Sequence, residues 1–245
     1  VYGDYSTGHI WAVKHDGQKV LWHKKIAITT LKITAFAHDP DGELLICHHS
    51  AGGDGGFFTL TPNTARQDTG FPKKLSDSGL FEDVRGHRMK PGAIPYSVNA
   101  PFWSDGAHKE RFVVLPPGGT ITYKRNSTAW DFPDKTVLVK SFAIDATEGD
   151  PATRKWIETR FMTKQDGEWY GYSYIWNDAG TDATLVEAKG ADVTYKVKTA
   201  AGASDFAWHY PGRAECMVCH SRAAQYVLGL SEMQINRDHT YPNGC

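Results

Sequence analysis

Between residues 94 and 199 the chain runs through a succession of short segments built from β-branched and aromatic residues: RFVVL, TITYK, TVLVKSFAI, WIETRFMTK, EWYGYSYIW, ATLVEA and DVTYKV. Stiff, branched side chains of this kind suit a pleated surface better than a helix. PPGG, TEGDPAT, QDG and NDAGTD cut the series, and their Gly, Pro, Asn and Asp supply the backbone geometry of tight turns. Strands of this length at this spacing predict an antiparallel β-sandwich or jelly roll over 94–204, with RFMTKQDGEWYGY as one of its hairpins. No helical crossover interrupts the series, so a parallel sheet is not expected.

Residues 1–62 repeat the β signal in smaller units. HIWAVKHDGQKVLW places strands on either side of Asp16-Gly17, and ITAFAHDPDGELLICHH does the same around Asp41-Gly42. Together they predict about one four-stranded sheet, the size of a β-propeller blade. TPNTARQDTGFPKKL reads as a linker and KLSDSGLFED as a short helix with Ser76 near its start, which together make a connecting segment over 63–93. Over 205–245 the character changes: RAECMVCHSRAAQYVLGL is helix-like and lies between Gly212 and Gly229. The chain opens at Val1 inside a strand pattern and stops at Cys245 after YPNG, which predicts a piece of a longer protein.

Composition removes several classes of function. Lys and Arg total 27 against 28 Asp and Glu, with no polybasic run, so neither nucleic acid nor an acidic membrane surface is an expected partner. No stretch approaches the roughly 20 apolar residues of a membrane-spanning helix. The cysteines are Cys47, Cys216, Cys219 and Cys245, too few for a disulfide scaffold. A Cys47–Cys245 bridge and two independent thiols both fit that set.

The densest chemistry is CMVCH, residues 216–220. In a c-type heme site two thiols add across two vinyl groups of one porphyrin. Two intervening residues on a single turn provide that separation, and the histidine that follows is placed to ligate the iron. Cys216, Cys219 and His220 meet each requirement. Zinc is an alternative, because Cys216, Cys219, His239 and Cys245 make a C-x2-C, H-x5-C set near structural-zinc spacing. A thioredoxin-like pair would need the CxxC behind a strand of a βαβ unit, and here it follows Pro211-Gly212 after an antiparallel region. The heme reading is favoured.

For the second axial position of the iron, Met233 and His239 are the candidates that follow the motif, since a thioether or an imidazole suits heme iron. His209, His108 and Met162 are weaker ones, and Met217 sits on the wrong side of the motif. Asp39, Asp41 and Glu43 in DPDGE resemble the start of a calcium loop but are better explained by a hairpin turn. FWSDGAHKERF gathers Asp105, His108, Lys109, Glu110 and Arg111, and reads as a solvated turn.

GDYSTGHIWAV followed by ITAFAHDPDGELLI resembles the closing blade of the quinoprotein glucose/sorbosone dehydrogenase propellers. FPKKLSDSGLF, PYSVNAPFWSDGAHKERFVVLPPG, WDFPDKTVLVKSFAI, GYSYIWNDAGTDATLV, CMVCH and LGLSEMQINRDH resemble an uncharacterised bacterial family of c-type heme proteins, some fused behind such a propeller. That family often carries a second CxxCH, which this sequence lacks. Lys32, Ile33 and Thr34 stand where the dehydrogenases place basic residues toward pyrroloquinoline quinone, so that cofactor is expected only in an upstream domain.

The resemblance and the motif together imply electron transfer through one heme c, with a dehydrogenase domain or a redox protein as partner, in the bacterial periplasm or at the cell surface. A carbohydrate- or partner-binding β module with an accessory heme is the alternative. A five-coordinate, catalytic or gas-sensing heme is another.

Overall fold

The computed structural model describes residues 1–50, 52–53, 55–62, 70–125, 129–221 and 224–241. The chain is mainly β, its sheets are antiparallel, and it divides into two compact units, Val1–Thr69 and Gly70–Cys245. The sandwich, the heme-bearing piece and the connector from Gly70 onward therefore share one unit, and the connector's residues 63–69 lie outside the described residues.

In the first unit, β1 (Tyr2–Gly3), β2 (His9–His15) and β3 (Val20–Ile28) form one meander. A second contains β4 (Ile33–His38), β5 (Leu44–His48) and β6 (Gly56–Thr59). The strands thus divide into two three-stranded sheets rather than one of four. Ile10, Ile33 and Ile46 form the small core. Both hairpin turns work as their sequences require. Asp16 accepts from the backbone N–H groups of Gln18 and Lys19, and Gly17 takes φ 94°. Asp39 likewise accepts from Asp41 and Glu43, so the DPDGE carboxylate serves the turn rather than an ion.

The second unit is organised by a six-stranded sheet. Its strands are β9 (Ala93–Pro95), β10 (His108–Val114), β11 (Val137–Asp145), β12 (Arg154–Gln165), β13 (Glu168–Trp176) and β14 (Ala183–Leu185), each hydrogen-bonded to the next in sequence. Before them lie a turn of 3-10 helix, Leu75–Ser78, and the small hairpin of β7 (Phe81–Asp83) and β8 (Arg88–Met89). After them come the hairpin of β15 (Ala191–Thr199) and β16 (Gly202–Tyr210), then α1 (Arg213–Cys219) and α2 (Glu232–Ile235). TITYK contributes only an isolated bridge between Thr122 and Asp131. The boundary expected at 204 falls inside β16, whose opening GASD lacks the β-branched residues that mark its partner strand.

One face of the large sheet buries Val139, Phe161, Tyr174 and Trp176 against Leu75 and Phe81. The register resolves the opposite face into three rungs. Val113, Leu138, Met162 and Gly171 are successive cross-strand neighbours; so are Arg111, Lys140, Arg160 and Ser173, and then Lys109, Phe142, Glu158 and Ile175. Val227 and Leu230 cover the first rung, whereas Trp208 and Tyr210 of β16 cover Phe142 at the other end. The middle rung is cationic.

Glu158, in the third rung, is completely buried. It accepts a forked pair from Arg160 at 2.7 and 2.8 Å and a third hydrogen bond from Trp208 Nε1 at 2.9 Å. Truncating one partner of such a pair strands the other in a low-dielectric site. Glu158→Ala should cost about 3–5 kcal/mol in urea unfolding, and Trp208→Phe, which removes one neutral donor, distinctly less.

Candidate functional site

CMVCH is carried by α1, and tertiary contacts fix its position. Glu215 accepts from the Gly212 N–H at 2.6 Å, which caps the first turn, and His209 Nε2 lies 3.1 Å from the same carboxylate oxygen. Arg213 packs over the Tyr172 ring. Gly171 of β13 lies directly beneath Cys216: a β-carbon built on Gly171 would fall 2.4 Å from Cys216 Cβ and 2.7 Å from its Sγ. The sheet has a notch in which the helix rests.

The helix ends at the motif rather than continuing to Gly229. Gln225 and Tyr226 adopt left-handed φ values of 51° and 61°, which bend the chain back over His220. His220 Nδ1 therefore lies 2.7 Å from the Tyr226 carbonyl. A carbonyl only accepts, so Nδ1 carries the proton and Nε2 presents its lone pair. Burial lowers the His220 pKa; the Tyr226 carbonyl opposes this, while the Lys140 and Arg160 charges add to the lowering. The ring is thus a neutral, oriented imidazole, the form in which histidine binds a metal.

Cys216 and Cys219 are free thiols one helical turn apart, the first half-buried and the second exposed. Burial pushes the Cys216 thiol up, the opposite of what a reactive redox pair needs. Two thiols on one turn followed by a neutral imidazole with open Nε2 fit the attachment chemistry of heme c.

The axial candidates separate clearly. Met233 on α2 is 87% exposed. His209 has both ring nitrogens on carboxylates, Asp192 at 2.7 Å and Glu215 at 3.1 Å. Met162 is core, next to Gly171, and Met217 packs against the same core. His108 lies half-exposed near Glu110. His239 differs: Nδ1 is 3.0 Å from Ser97 Oγ, and Nε2 is buried without a hydrogen-bond partner among the described residues. Cys245 lies outside the described residues, which removes the zinc set's fourth ligand and the Cys47 bridge from view. Among the described residues no three His, Cys, Asp or Glu gather as a metal site, so Cys216, Cys219 and His239 are not assembled around zinc.

Three features had no signature in the sequence. The segment expected as a solvated turn does turn at Asp105-Gly106 but enters β10 at His108, and Lys109 and Arg111 lie on the sheet face that bears α1. Lys140 stands between Arg111 and Arg160, and burial, with those like charges, lowers its pKa to about 7. Residues some 20–30 apart in sequence meet here only through register. On the opposite face a buried polar chain runs from Glu110 through His87 and Ser141 to Thr159 and Trp176. Ser141 is fully buried, so this arrangement offers no accessible nucleophile. No protein-family model matches the chain, and no curated protein or solved structure is similar enough to match it.

Gly171→Ala should force the first turn of α1 off the sheet and cost about 1–3 kcal/mol, as overpacking does, measured by urea unfolding. For Lys140 the sign is fixed by its lowered pKa. Between pH 7 and pH 10.5 the unfolded chain holds a proton that the folded chain has released, so stability of the heme-free protein rises with pH across that window. Lys140→Met should flatten this rise and raise the melting temperature at neutral pH.

Proposed function

We propose that this chain carries one heme c and transfers electrons through it, with Cys216 and Cys219 as thioether attachment points and His220 as the proximal iron ligand. The observation that supports this most is the hydrogen bond from His220 Nδ1–H to the Tyr226 carbonyl, directly behind a one-turn pair of thiols. It presets the tautomer and the ring plane before any iron arrives.

Within that reading His239 would be the second protein ligand to the iron, since among the candidates that follow the motif its Nε2 is buried and without a hydrogen-bond partner among the described residues, whereas Met233 faces solvent. The heme supplies a reversible one-electron iron couple when bound. The protein half-buries His220, orients that ring and presents two thiols one helical turn apart, which would take the two vinyl groups. Covalent heme attachment belongs outside the cytoplasm, so the protein works in the periplasm or at the cell surface. Its electron donor is a redox protein or a dehydrogenase domain upstream, where any pyrroloquinoline quinone would reside. β3 supports the latter: Val20, Leu21, Trp22, Ile26 and Ile28 are exposed on the two faces of one strand, apolar surface of the kind a neighbouring β element covers.

Protein produced with a heme-attachment system should be red and give a c-type pyridine hemochrome. Cys216→Ser with Cys219→Ser should abolish covalent heme. A protein that stays colourless under these conditions would overturn the proposal. His239→Ala should make the reduced protein bind carbon monoxide, whereas Met233→Ala should leave its spectrum unchanged.

A further inference from the structure

We infer that the cationic rung of Arg111 and Lys140, with Lys109 at its flank, is the carboxylate-binding wall of the heme site and takes the two propionates; this rests on the heme c reading above. Position comes first. The rung lies one same-face step, about 7 Å along the strands, from the rung on which Gly171 seats Cys216: Arg160 precedes Met162 and Ser173 follows Gly171 by two residues, and Lys140 and Arg111 continue the rung on the next two strands.

Charge balance comes second. Arg160 is neutralised by its fork to Glu158, whose remaining capacity is used by Trp208. Among the described residues the Arg111 and Lys140 side chains have no hydrogen-bonded or ion-paired carboxylate; Lys140 rests 5.1 Å over the Phe142 ring. Lys109 bonds the Phe102 carbonyl and Ser104 Oγ, neither of which carries charge. Half-buried cations side by side on neighbouring strands are costly unless an anion completes them. The burden is visible in the lowered pKa values of Lys109, Arg111 and Lys140, all led by burial.

Apolar surface comes third. The four most exposed large apolar side chains of the second unit are Phe102 (73%), Trp103 (79%), Val218 (76%) and Met233 (87%). Val218 stands between the two motif cysteines. Lys109 holds the carbonyl of Phe102, and Asn99, three residues earlier, bonds the backbone of Met233 and Gln234 on α2. The cations thus lie one rung from the helix that carries the thiols and Val218, with Phe102 tied to Lys109 at their flank. That combination matches an amphiphile with a flat apolar body and a dianionic edge. A free inorganic anion would use the cations and leave the apolar rim bare.

The test uses the heme-loaded full chain. Resonance Raman spectra report the propionate bending bands, which respond to hydrogen bonding at the carboxylates. Lys140→Met should shift a propionate band relative to wild type, Lys140→Arg should retain the wild-type position, and Lys135→Met should leave it unmoved. Inorganic phosphate should raise the melting temperature of the heme-free protein and leave the loaded protein unaffected, because propionates fill the rung. Unshifted bands in Lys140→Met, or phosphate stabilising loaded and heme-free protein alike, would overturn the assignment in favour of a free-anion site. If Lys140→Met does not fold, Arg111→Gln gives the same readout. A wild-type protein without Soret absorption would instead remove the heme reading itself, a failure seen before any variant is made.

Discussion

The arrangement depends on one buried carboxylate. Glu158 sits at full burial in the largest sheet, and three donors reach it: both arms of Arg160, from its own strand, and the indole of Trp208 from the β15–β16 hairpin. An ionised carboxyl at that depth is tolerable only when its acceptor sites are filled. Filling them fixes where the hairpin lies on the sheet. Because α1 begins three residues after the hairpin ends, the same bonds set where the helix can land. Tyr210, bonded through its hydroxyl to the Ile157 carbonyl, reinforces this at the last residue of β16.

From that anchor the site follows by short steps. Gly212 and Gly190 approach without side chains, Glu215 closes the helix start, and Gly171 opens the notch for Cys216. Each is a small-residue or capping solution to a close approach. Sheet and helix together then require the chain after His220 to turn back. It does so through two non-glycine residues at positive φ, Gln225 and Tyr226. Backbone of this kind persists only where surroundings over-determine it. Here the return is the carbonyl that orients His220.

The strands were legible in sequence because their chemistry is local. WIETRFMTK, EWYGYSYIW and DVTYKV lie wholly in strands, RFVVL and TVLVKSFAI all but one residue each, and ATLVEA only through its first three residues, Ala183–Leu185. TITYK misled because Thr and Tyr favour strands only where a partner exists, and this segment finds one bridge. β16 was missed for the converse reason: its GASD opening is polar, and pairing with β15 decides its conformation. The expected helix to Gly229 was shortened by the turn at 225–226, which no propensity at those positions announces. Of the candidate site, the cysteines and His220 lie within one five-residue stretch and could be read directly. The distinction between Met233 and His239 could not, since it depends on which ring nitrogen is left bare by Ser97, 142 residues away.

The cationic rung shows why such a feature escapes a linear reading. Each of its members sits in a strand whose neighbours alternate in the ordinary way, and a lysine or arginine at an alternating position normally faces water. Only the register shows Arg111, Lys140 and Arg160 shoulder to shoulder, and only the covering elements show that hairpin and C-terminal segment close over both flanks. A sheet face sealed at two ends by apolar packing and held open by charge in the middle is a poor way to build a core. It is a sound way to hold a ligand that is apolar over most of its surface and anionic at one edge, because the cost of burying the cations is then offset by the ligand rather than by the protein. On the heme reading proposed above, the CMVCH helix and the rung would be two halves of one site, the helix offering the attachment thiols and the sheet the counter-charge to the ligand's anionic edge.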